Sequence, residues 1–343
     1  MRKRLYQIDV IKVFAIFSVV SVHFLLNSGF YDISVTGWMP TIDVILRTIF
    51  ITAVPLFIMA TGFLMGDKVL SSSYIVKIWR TLLLYVIVSI IDWIGHTLIL
   101  GSKISFSDAL YGMLDFSTDS YAWYVEMYIG LYLLIPVLNA AWHYQSNEQY
   151  HLYILIISVI LFFLPSLFNV FGKIMPDWWT AAYPIGYYYF GVYFKTYFSK
   201  IQKIPLKQLL FWSVTIFSVI SLIAVNNNYG KIFKWTSEND YMGYQPFIVA
   251  IILFLLFLRL PFKREKQRKY KILTKISGMT LTIYLFSDLT DSIIYHDFKL
   301  MVPSTNNRLV WGPLIVICSF ISATILSFIV EKILSKLSNT RKA

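Results

Sequence analysis

The sequence predicts an all-α integral membrane protein, a bundle of about ten transmembrane helices with both termini in the cytoplasm. Three observations lead to this fold class. Of the 343 residues, 57% are hydrophobic and only 14% are charged, whereas soluble domains carry about one quarter charged residues. The apolar residues form stretches of about 20, the length that crosses the hydrocarbon core of a bilayer. Lysine and arginine are concentrated in alternate connecting segments, as expected of cytoplasmic loops.

Ten stretches meet that length and make residues 1–343 a single transmembrane domain. The sixth is the most aromatic and contains glycine, so we expect it to pack among other helices, and the ninth is the most polar. In chain order the predicted spans are 8–27, 42–65, 77–100, 122–142, 150–171, 179–198, 208–226, 242–260, 276–296 and 309–332.

The charged start, Met1 to Arg4, resembles the beginning of a signal peptide. Asp9 and Lys12 interrupt the apolar run that follows, and no Ala-x-Ala-like cleavage site ends it. We therefore expect a retained first helix rather than a cleaved leader.

The distribution of basic residues predicts the orientation. With a cytoplasmic N-terminus, the cytoplasmic segments hold 22 lysines and arginines and the external loops hold six, a strong positive-inside bias. The basic residues of the cytoplasmic segments thus explain the net charge of +12. We expect membrane lipid rather than nucleic acid as a partner. The single cysteine, Cys318, excludes an internal disulfide and a cysteine-rich metal site, and no metal is predicted. No Walker-type loop is present, which argues against an ATP-driven motor.

The first predicted span carries three ionisable residues, which are costly in a membrane and are therefore functional candidates. Asp9 and Lys12 are three residues apart on one helical face, where they can pair. His23 lies eleven residues beyond Lys12, roughly 16 Å along the axis and on the same face. An imidazole suits a general base near neutral pH. Two plainer interpretations stay open: His23 bonded to a backbone carbonyl, and Lys12 extending its ammonium to the interface.

Other predicted spans place polar groups toward the outer side of the membrane. These groups predict a water-filled chamber open to the outside, although a structural ion pair explains any one of them equally well. They are Asp43, Arg47, Asp92, His96, Glu126, Asp288 and Asp291. On the cytoplasmic side, Lys77 and Arg80 begin the third span. The positive-inside rule accounts for them, and a phosphate-rich ligand would use the same charges.

Four short motifs occur in order along the first four predicted helices. They are Asp9-Val-Ile-Lys12 with His23 eleven residues later; Val54-Pro55-Leu56-Phe57 with Ala60-Thr61-Gly62-Phe63-Leu64; Lys77-Ile-Trp-Arg80; and Trp123-Tyr124 with Gly130-Leu-Tyr132 and Pro136. Each of these motifs resembles a helix motif of the acyltransferase 3 family of membrane acyltransferases, and the count of ten helices agrees with that family.

The chain departs from the family pattern in three places. Tyr121-Ala122-Trp123 stands where the family usually has His-Leu-Trp, and Glu126 replaces an apolar or aromatic residue. The late motif ends in Ser287 where the family usually has histidine. This last change leaves open an altered acceptor or a lost step of the chemistry.

The resemblance implies an O-acyltransferase of the plasma membrane, in a bacterial cell. Acetyl-CoA or another acyl-CoA is the expected cytosolic donor, and a hydroxyl of a cell-surface polysaccharide or its lipid-linked precursor is the expected acceptor. We expect His23 to act as base or to form an acyl-histidine, assisted by Asp9 and Lys12. Lys77 and Arg80 would bind the donor's phosphates.

Arg47, Trp123 and Glu126 would line the acceptor side, with Trp123 stacking on a sugar ring. A transporter or flippase of a glycan fits the buried charges equally well, and a membrane scaffold fits the composition alone. The oligomeric state stays open.

Overall fold

The computed structural model describes residues 4–262 and 270–340, with side chains to residue 336. Within these residues the regular structure is helical, accompanied by two isolated backbone bridges, so the all-α prediction is confirmed. The basic residues predicted to face the cytoplasm at Arg2, Lys3 and between positions 263 and 269 lie outside the described residues.

The helices are numbered in chain order. They are α1 Tyr6–Ser28, α2 Trp38–Phe50, α3 Ala53–Met65, α4 Ser72–Leu98, α5 Phe106–Leu114, α6 Trp123–His143, α7 Glu148–Ser158, α8 Leu164–Phe168, α9 Tyr183–Thr196, α10 Phe198–Ile201, α11 Leu206–Asn228, α12 Tyr244–Leu258, α13 Lys271–Gly278, α14 Thr280–Met301, α15 Thr305–Val310 and α16 Gly312–Thr340.

Seven helical segments of the described residues are long and apolar enough to cross a membrane, which makes the chain a multi-pass membrane protein. They match the first five, the seventh and the tenth predicted spans. The sixth and eighth correspond to shorter helices, α9 with 14 residues and α12 with 15. The ninth corresponds to α14. Its 22 residues are enough to cross a membrane, but its charged residues exclude it from the seven apolar segments.

The second predicted span is two helices rather than one. α2 ends at Phe50 and α3 begins at Ala53. Pro55 lies in the first turn of α3, where its ring would clash with the carbonyl of Ile51 in a continuous helix. The hydroxyl of Thr52 donates a hydrogen bond to the carbonyl oxygen of Ile49, 2.6 Å away. This bond satisfies one backbone carbonyl group at the break between α2 and α3.

The chain forms two compact units, which are described separately. The first comprises Met1–Val69 and Leu134–Thr274. In it α1 packs against α2, α3 and α12, and α3 packs closely against α9. A Cβ on Gly191 would lie 2.0 Å from the carbonyl oxygen of Met59, and a Cβ on Gly62 would lie 2.1 Å from that of Tyr188. Small residues at this contact let the two backbones approach, as is common between membrane helices.

The second unit comprises Leu70–Leu133 and Lys275–Ala343. In it α14 packs against both α4 and α16. The glycine at position 95 brings α4 close to α14, because a Cβ there would lie 2.6 Å from Cδ1 of Leu289. Near the start of α4, the rings of Tyr74 and Tyr132 stack with centroids 4.3 Å apart, and each hydroxyl donates to the other residue's carbonyl oxygen. These contacts hold α4 against α6 and α14.

Candidate functional site

The predicted catalytic residues of α1 lie on one uninterrupted helix in the first unit. Its 23 residues contain no glycine or proline, and Gly29 ends it in the left-handed conformation, with φ of 89°. That ending suits glycine, which has no Cβ to clash. Because the helix is continuous, Lys12 and His23 share a face as the spacing predicts.

His23 is buried in the core of the first unit, with 7% of its surface exposed. Its apolar neighbours in the sequence of the same helix are also buried: Val19, Val20 and Phe24. The carbonyl oxygen of His23 accepts a hydrogen bond from Asn27 Nδ2 at 2.9 Å. The helix therefore presents this imidazole within protein rather than on an open surface.

Asp9 is buried near the start of α1 and makes a two-point ion pair with Arg4. The Arg4 Nε lies 2.8 Å from Asp9 Oδ2, and Nη2 lies 2.8 Å from Oδ1. The helical spacing predicts Lys12 as a partner of Asp9, and the structure adds Arg4. The Asp9 carboxylate raises the pKa of the Arg4 guanidinium above its ordinary value, since two parallel hydrogen bonds favour the charged form.

Arg47 lies on α2 with only 2% of its surface exposed, inside a cage of aromatic rings. Its Cζ lies 4.1 Å from the ring centroid of Trp235 and 4.5 Å from that of Phe233. Nε donates to the hydroxyl oxygen of Tyr31 at 2.8 Å, and Nη1 donates to the carbonyl oxygen of Asn239 at 3.3 Å. The predicted acceptor-binding arginine is thus engaged with the loop between α11 and α12.

The loop at 229–243 is anchored to the segment before α2. The backbone N–H of Val35 donates to the carbonyl oxygen of Lys231, and that of Gly230 donates to the carbonyl oxygen of Val35. Asp43, one turn before Arg47, is buried and its Oδ2 has no hydrogen-bond partner among the described residues. The ion pairs found among the described residues do not join Asp43 to Arg47.

A polar cavity of about 710 Å³ lies beside this loop in the first unit. Its wall combines amide, hydroxyl and charged side chains, and Asn239 belongs both to the wall and to the contact with Arg47. The lining residues are Val170, Asn226, Asn227, Asn228, Lys231, Ile232, Lys234, Thr236, Glu238, Asn239 and Gln245. The cavity lining does not include Arg47, Trp123 or Glu126, the residues predicted for the acceptor side; its signal in the sequence is the three consecutive asparagines at the end of α11.

The predicted donor-binding residues lie in the second unit, in the first half of α4. Lys77 is exposed, and so is Arg80, whose side chain is 87% exposed. Arg80 Nη2 lies 3.8 Å from Glu331 Oε2 of α16, a weak surface pair. Both cations therefore remain accessible to an anionic ligand.

The remaining predicted acceptor residues begin α6 in the second unit. Trp123 is half-buried, with its ring 6.1 Å from that of Tyr124 between centroids. Glu126 is exposed in the first turn, where the helix dipole favours an acidic residue. Ser287, which replaces the late histidine, is fully buried and donates to the carbonyl oxygen of Tyr284 at 2.6 Å.

Three of the polar residues noted in the sequence come together in the second unit. Asp92 and His96 of α4 meet Asp288 of α14, each offering a ligand atom within 4.8 Å of the others. The structure adds Asp119, a fully buried residue of the loop between α5 and α6. Burial and the neighbouring Asp288 carboxylate raise the pKa of Asp119 well above its ordinary value.

Comparison with known protein families agrees with the motifs. The acyltransferase 3 profile, described as an acyltransferase domain, matches residues 5–332. Searches of curated proteins and of solved structures found no significant match. The matched region contains α1 with His23, the basic pair of α4, and both units in nearly their full length. The chain is a multi-pass membrane protein that belongs to the acyltransferase 3 family.

Proposed function

We propose that this protein is an O-acyltransferase that moves an acyl group, in the simplest case acetyl, from a cytosolic acyl-CoA to a hydroxyl of a cell-surface polysaccharide or its lipid-linked precursor. Family membership supports acyl transfer. The observation that carries the proposal is the burial of His23 within continuous α1, because a hydroxyl is a poor nucleophile that a positioned imidazole can activate.

In the direct route the imidazole of His23 takes the proton of the acceptor hydroxyl while the hydroxyl oxygen attacks the thioester carbonyl carbon. The carbon–sulfur bond then breaks, and the imidazolium returns the proton to the CoA thiolate. The products are an ester and CoA with a free thiol. In the alternative route an imidazole nitrogen of His23 attacks the thioester carbonyl carbon first, the carbon–sulfur bond breaks, and CoA leaves as the thiol with the proton of the ring. The acceptor oxygen then displaces His23 from the acyl group, and the hydroxyl proton returns to the imidazole. Asp9, held by Arg4, and Lys12 would position the cytoplasmic half of α1.

We assign the donor side to Lys77 and Arg80, whose exposed cations suit the phosphates of CoA. The polar cavity beside the 229–243 loop suits a carbohydrate, since amide side chains donate and accept hydrogen bonds to hydroxyl groups. Arg47 would act there through the loop, because Asn239 contacts the guanidinium and also lines the cavity. In the second unit, Trp123 would suit stacking on a sugar ring, and Glu126 would accept hydrogen bonds from sugar hydroxyl groups.

The proposed topology has ten crossings with both termini in the cytoplasm of a bacterial cell. The α9 helix is short, about 21 Å at 1.5 Å per residue, yet it is largely buried against α3. Irregular backbone at its ends is tolerable at membrane depth where protein surrounds it. In this orientation Lys12, Lys77 and Arg80 lie toward the cytoplasm and His23 toward the outer half.

The competing function is transport or flipping of a lipid-linked or small glycan without acyl transfer. Buried charges, among them Asp9 and Asp43, and the polar cavity also suit a permeation route. The two functions differ in one measurable requirement, the consumption of an acyl-CoA.

The deciding experiment incubates the purified protein with labelled acetyl-CoA and candidate glycans. We expect thioester consumption that requires an acceptor and that His23→Ala abolishes. His296→Ala is the matched control, since His296 is exposed on α14 and should leave the rate unchanged. Full activity of His23→Ala would remove the central role of that residue. Glycan movement across proteoliposomes with no need for acyl-CoA would establish the transporter instead.

A further inference from the structure

The spacing of Asp92, His96 and Asp288 is that of ligand atoms around a metal ion. His96 Nε2 lies 3.6 Å from Asp92 Oδ2 and 3.5 Å from Asp288 Oδ2. A hydrogen bond between imidazolium and carboxylate is shorter, about 2.7–2.9 Å. Ligand atoms bound about 2.1 Å from a tetrahedral Zn²⁺ are separated by roughly 3.4 Å. The observed distances therefore fit a shared cation better than direct hydrogen bonding.

Asp92 supplies a second, independent observation. It is fully buried, at 0% exposure, and neither carboxylate oxygen has a hydrogen-bond partner among the described residues. Leaving such a group without a partner is costly, whether as a charge or as a neutral acid. Among the ion pairs of the described residues, its basic partner is the His96 ring on the next turn of α4. The carboxylate is thus directed into the cluster rather than toward a structural partner.

Asp119 and Ser120 complete the surroundings. Asp119 is fully buried, its Oδ1 accepts from the backbone N–H of Tyr121 at 2.8 Å, and its Oδ2 has no hydrogen-bond partner among the described residues. Asp119 is also close enough to Asp92 and Asp288 for their charges to repel. The hydroxyl of Ser120 donates to Oδ1 of Asp288, which leaves Oδ2 toward His96. Hydrogen bonds of this kind orient the ligands of a metal ion.

The cluster also contains three buried carboxyl groups, and the ion pairs found among the described residues bring no lysine or arginine to Asp92, Asp119 or Asp288. A bound divalent cation would favour the ionised form of its carboxylate ligands and offset their charge. It would also join α4 and α14 within the second unit.

We propose that Asp92, His96 and Asp288 bind one divalent transition-metal cation, with Zn²⁺ as the first probe. One imidazole among carboxylates favours Zn²⁺ or Mn²⁺ over Mg²⁺ and Ca²⁺, which prefer oxygen ligands alone. His96 keeps 22% of its side chain exposed and provides an edge by which a cation can enter. The proposal is independent of acyl transfer and assigns the cation no step in it.

The test uses the full chain purified without a polyhistidine tag and treated with EDTA. Zn²⁺ is titrated by calorimetry, and Co²⁺ is followed by its visible absorption as a readout of the ligand geometry. We expect one cation per chain. Loss of a residue that only hydrogen-bonds to a metal ligand weakens metal binding roughly 10- to 100-fold. Asp92→Asn and His96→Gln should each weaken Zn²⁺ binding by more than that, because each removes a ligand. Asp108→Asn, on an exposed turn of α5, is the matched control.

A thermal measurement separates loss of the site from loss of the fold. Without metal, Asp92→Asn should unfold at the same temperature as the natural chain or higher, because it replaces a buried carboxyl group that is costly as a charge and as a neutral acid. It should lack only the rise in unfolding temperature that Zn²⁺ produces by binding the native state. Three results would overturn the proposal: no Zn²⁺ binding by the natural chain, unchanged binding by both variants, or equal binding of Ca²⁺ that His96→Gln leaves intact.

Discussion

The guanidinium carbon of Arg47 lies 4.1 Å from the ring centroid of Trp235, which joins α2 to the loop between α11 and α12. Phe233 and Tyr31 add further ring contacts, and the carbonyl oxygen of Asn239 accepts a hydrogen bond from Nη1. One buried cation thus holds the loop that also forms the wall of the polar cavity.

Replacing Arg47 by lysine should therefore loosen this loop although it keeps the charge. Lysine lacks the planar group that stacks on the rings and bonds two partners at once. We expect a loss of about 2–3 kcal/mol in the free energy of unfolding, measured as a lower thermal midpoint in detergent, and a higher KM for the acceptor. Tyr31→Phe keeps the ring but removes one hydrogen bond, so its loss should be smaller, about 1 kcal/mol. An Arg47→Lys protein as stable as the natural one would contradict this role.

The contact between α3 and α9 should not tolerate a side chain at position 191. A Cβ there would lie 2.0 Å from the backbone oxygen of Met59, which cannot move aside as a side chain can. We expect Gly191→Ala to lower the thermal midpoint by several degrees, as overpacking costs about 1–3 kcal/mol. Gly130→Ala is the matched control, because nothing lies within 4 Å of a Cβ at that position. Equal thermal midpoints for Gly191→Ala and Gly130→Ala would contradict this prediction, because they would mean that α3 and α9 can move apart without loss of stability.

The polar cavity leads to a prediction about the acceptor. Asn227 is exposed at the end of α11 and lines the cavity, so Asn227→Leu removes an amide without disturbing the core. We expect the KM for the glycan to rise several-fold while the KM for acyl-CoA stays unchanged. Asn307→Leu, an exposed change in the second unit, should leave both constants as they are. An increase in the KM for acyl-CoA alone would place the donor in the cavity instead.

The proposed topology can be tested by labelling single cysteines in a Cys318→Ser background. Lys103→Cys and Lys234→Cys lie at exposed positions assigned to the outside. They should react with a membrane-impermeant thiol reagent on intact cells. Lys203→Cys is equally exposed but is assigned to the cytoplasm, so it should react only after the cells are permeabilised. The opposite pattern would invert the orientation and place His23 toward the cytoplasm.

Burial separates the polar residues that the sequence grouped into one outer chamber. Asp43 and Asp92 are buried, whereas Glu126 is exposed. All three look alike in a sequence, because each interrupts an apolar stretch with a single charge. Their surroundings differ because they depend on which distant segment packs over each residue. For Arg47 that segment is the 229–243 loop, nearly two hundred positions away.

Local sequence was enough to predict the seven membrane-length helical segments, the family, and the position of His23 on the first helix. These features follow from local apolar runs and short motifs, since a span of about 20 residues must satisfy its own backbone hydrogen bonds in lipid. The break before Pro55 was also readable, although the prediction treated that span as continuous.

The tertiary structure was needed to find which distant polar groups meet. It enclosed Arg47 in aromatic rings and brought Asp119 beside Asp288 across about 170 residues of chain. It also showed that asparagines at the end of α11 line a cavity. A buried polar side chain forms hydrogen bonds with the groups that lie next to it in space. Helix packing determines which groups those are, so the local sequence alone does not identify them.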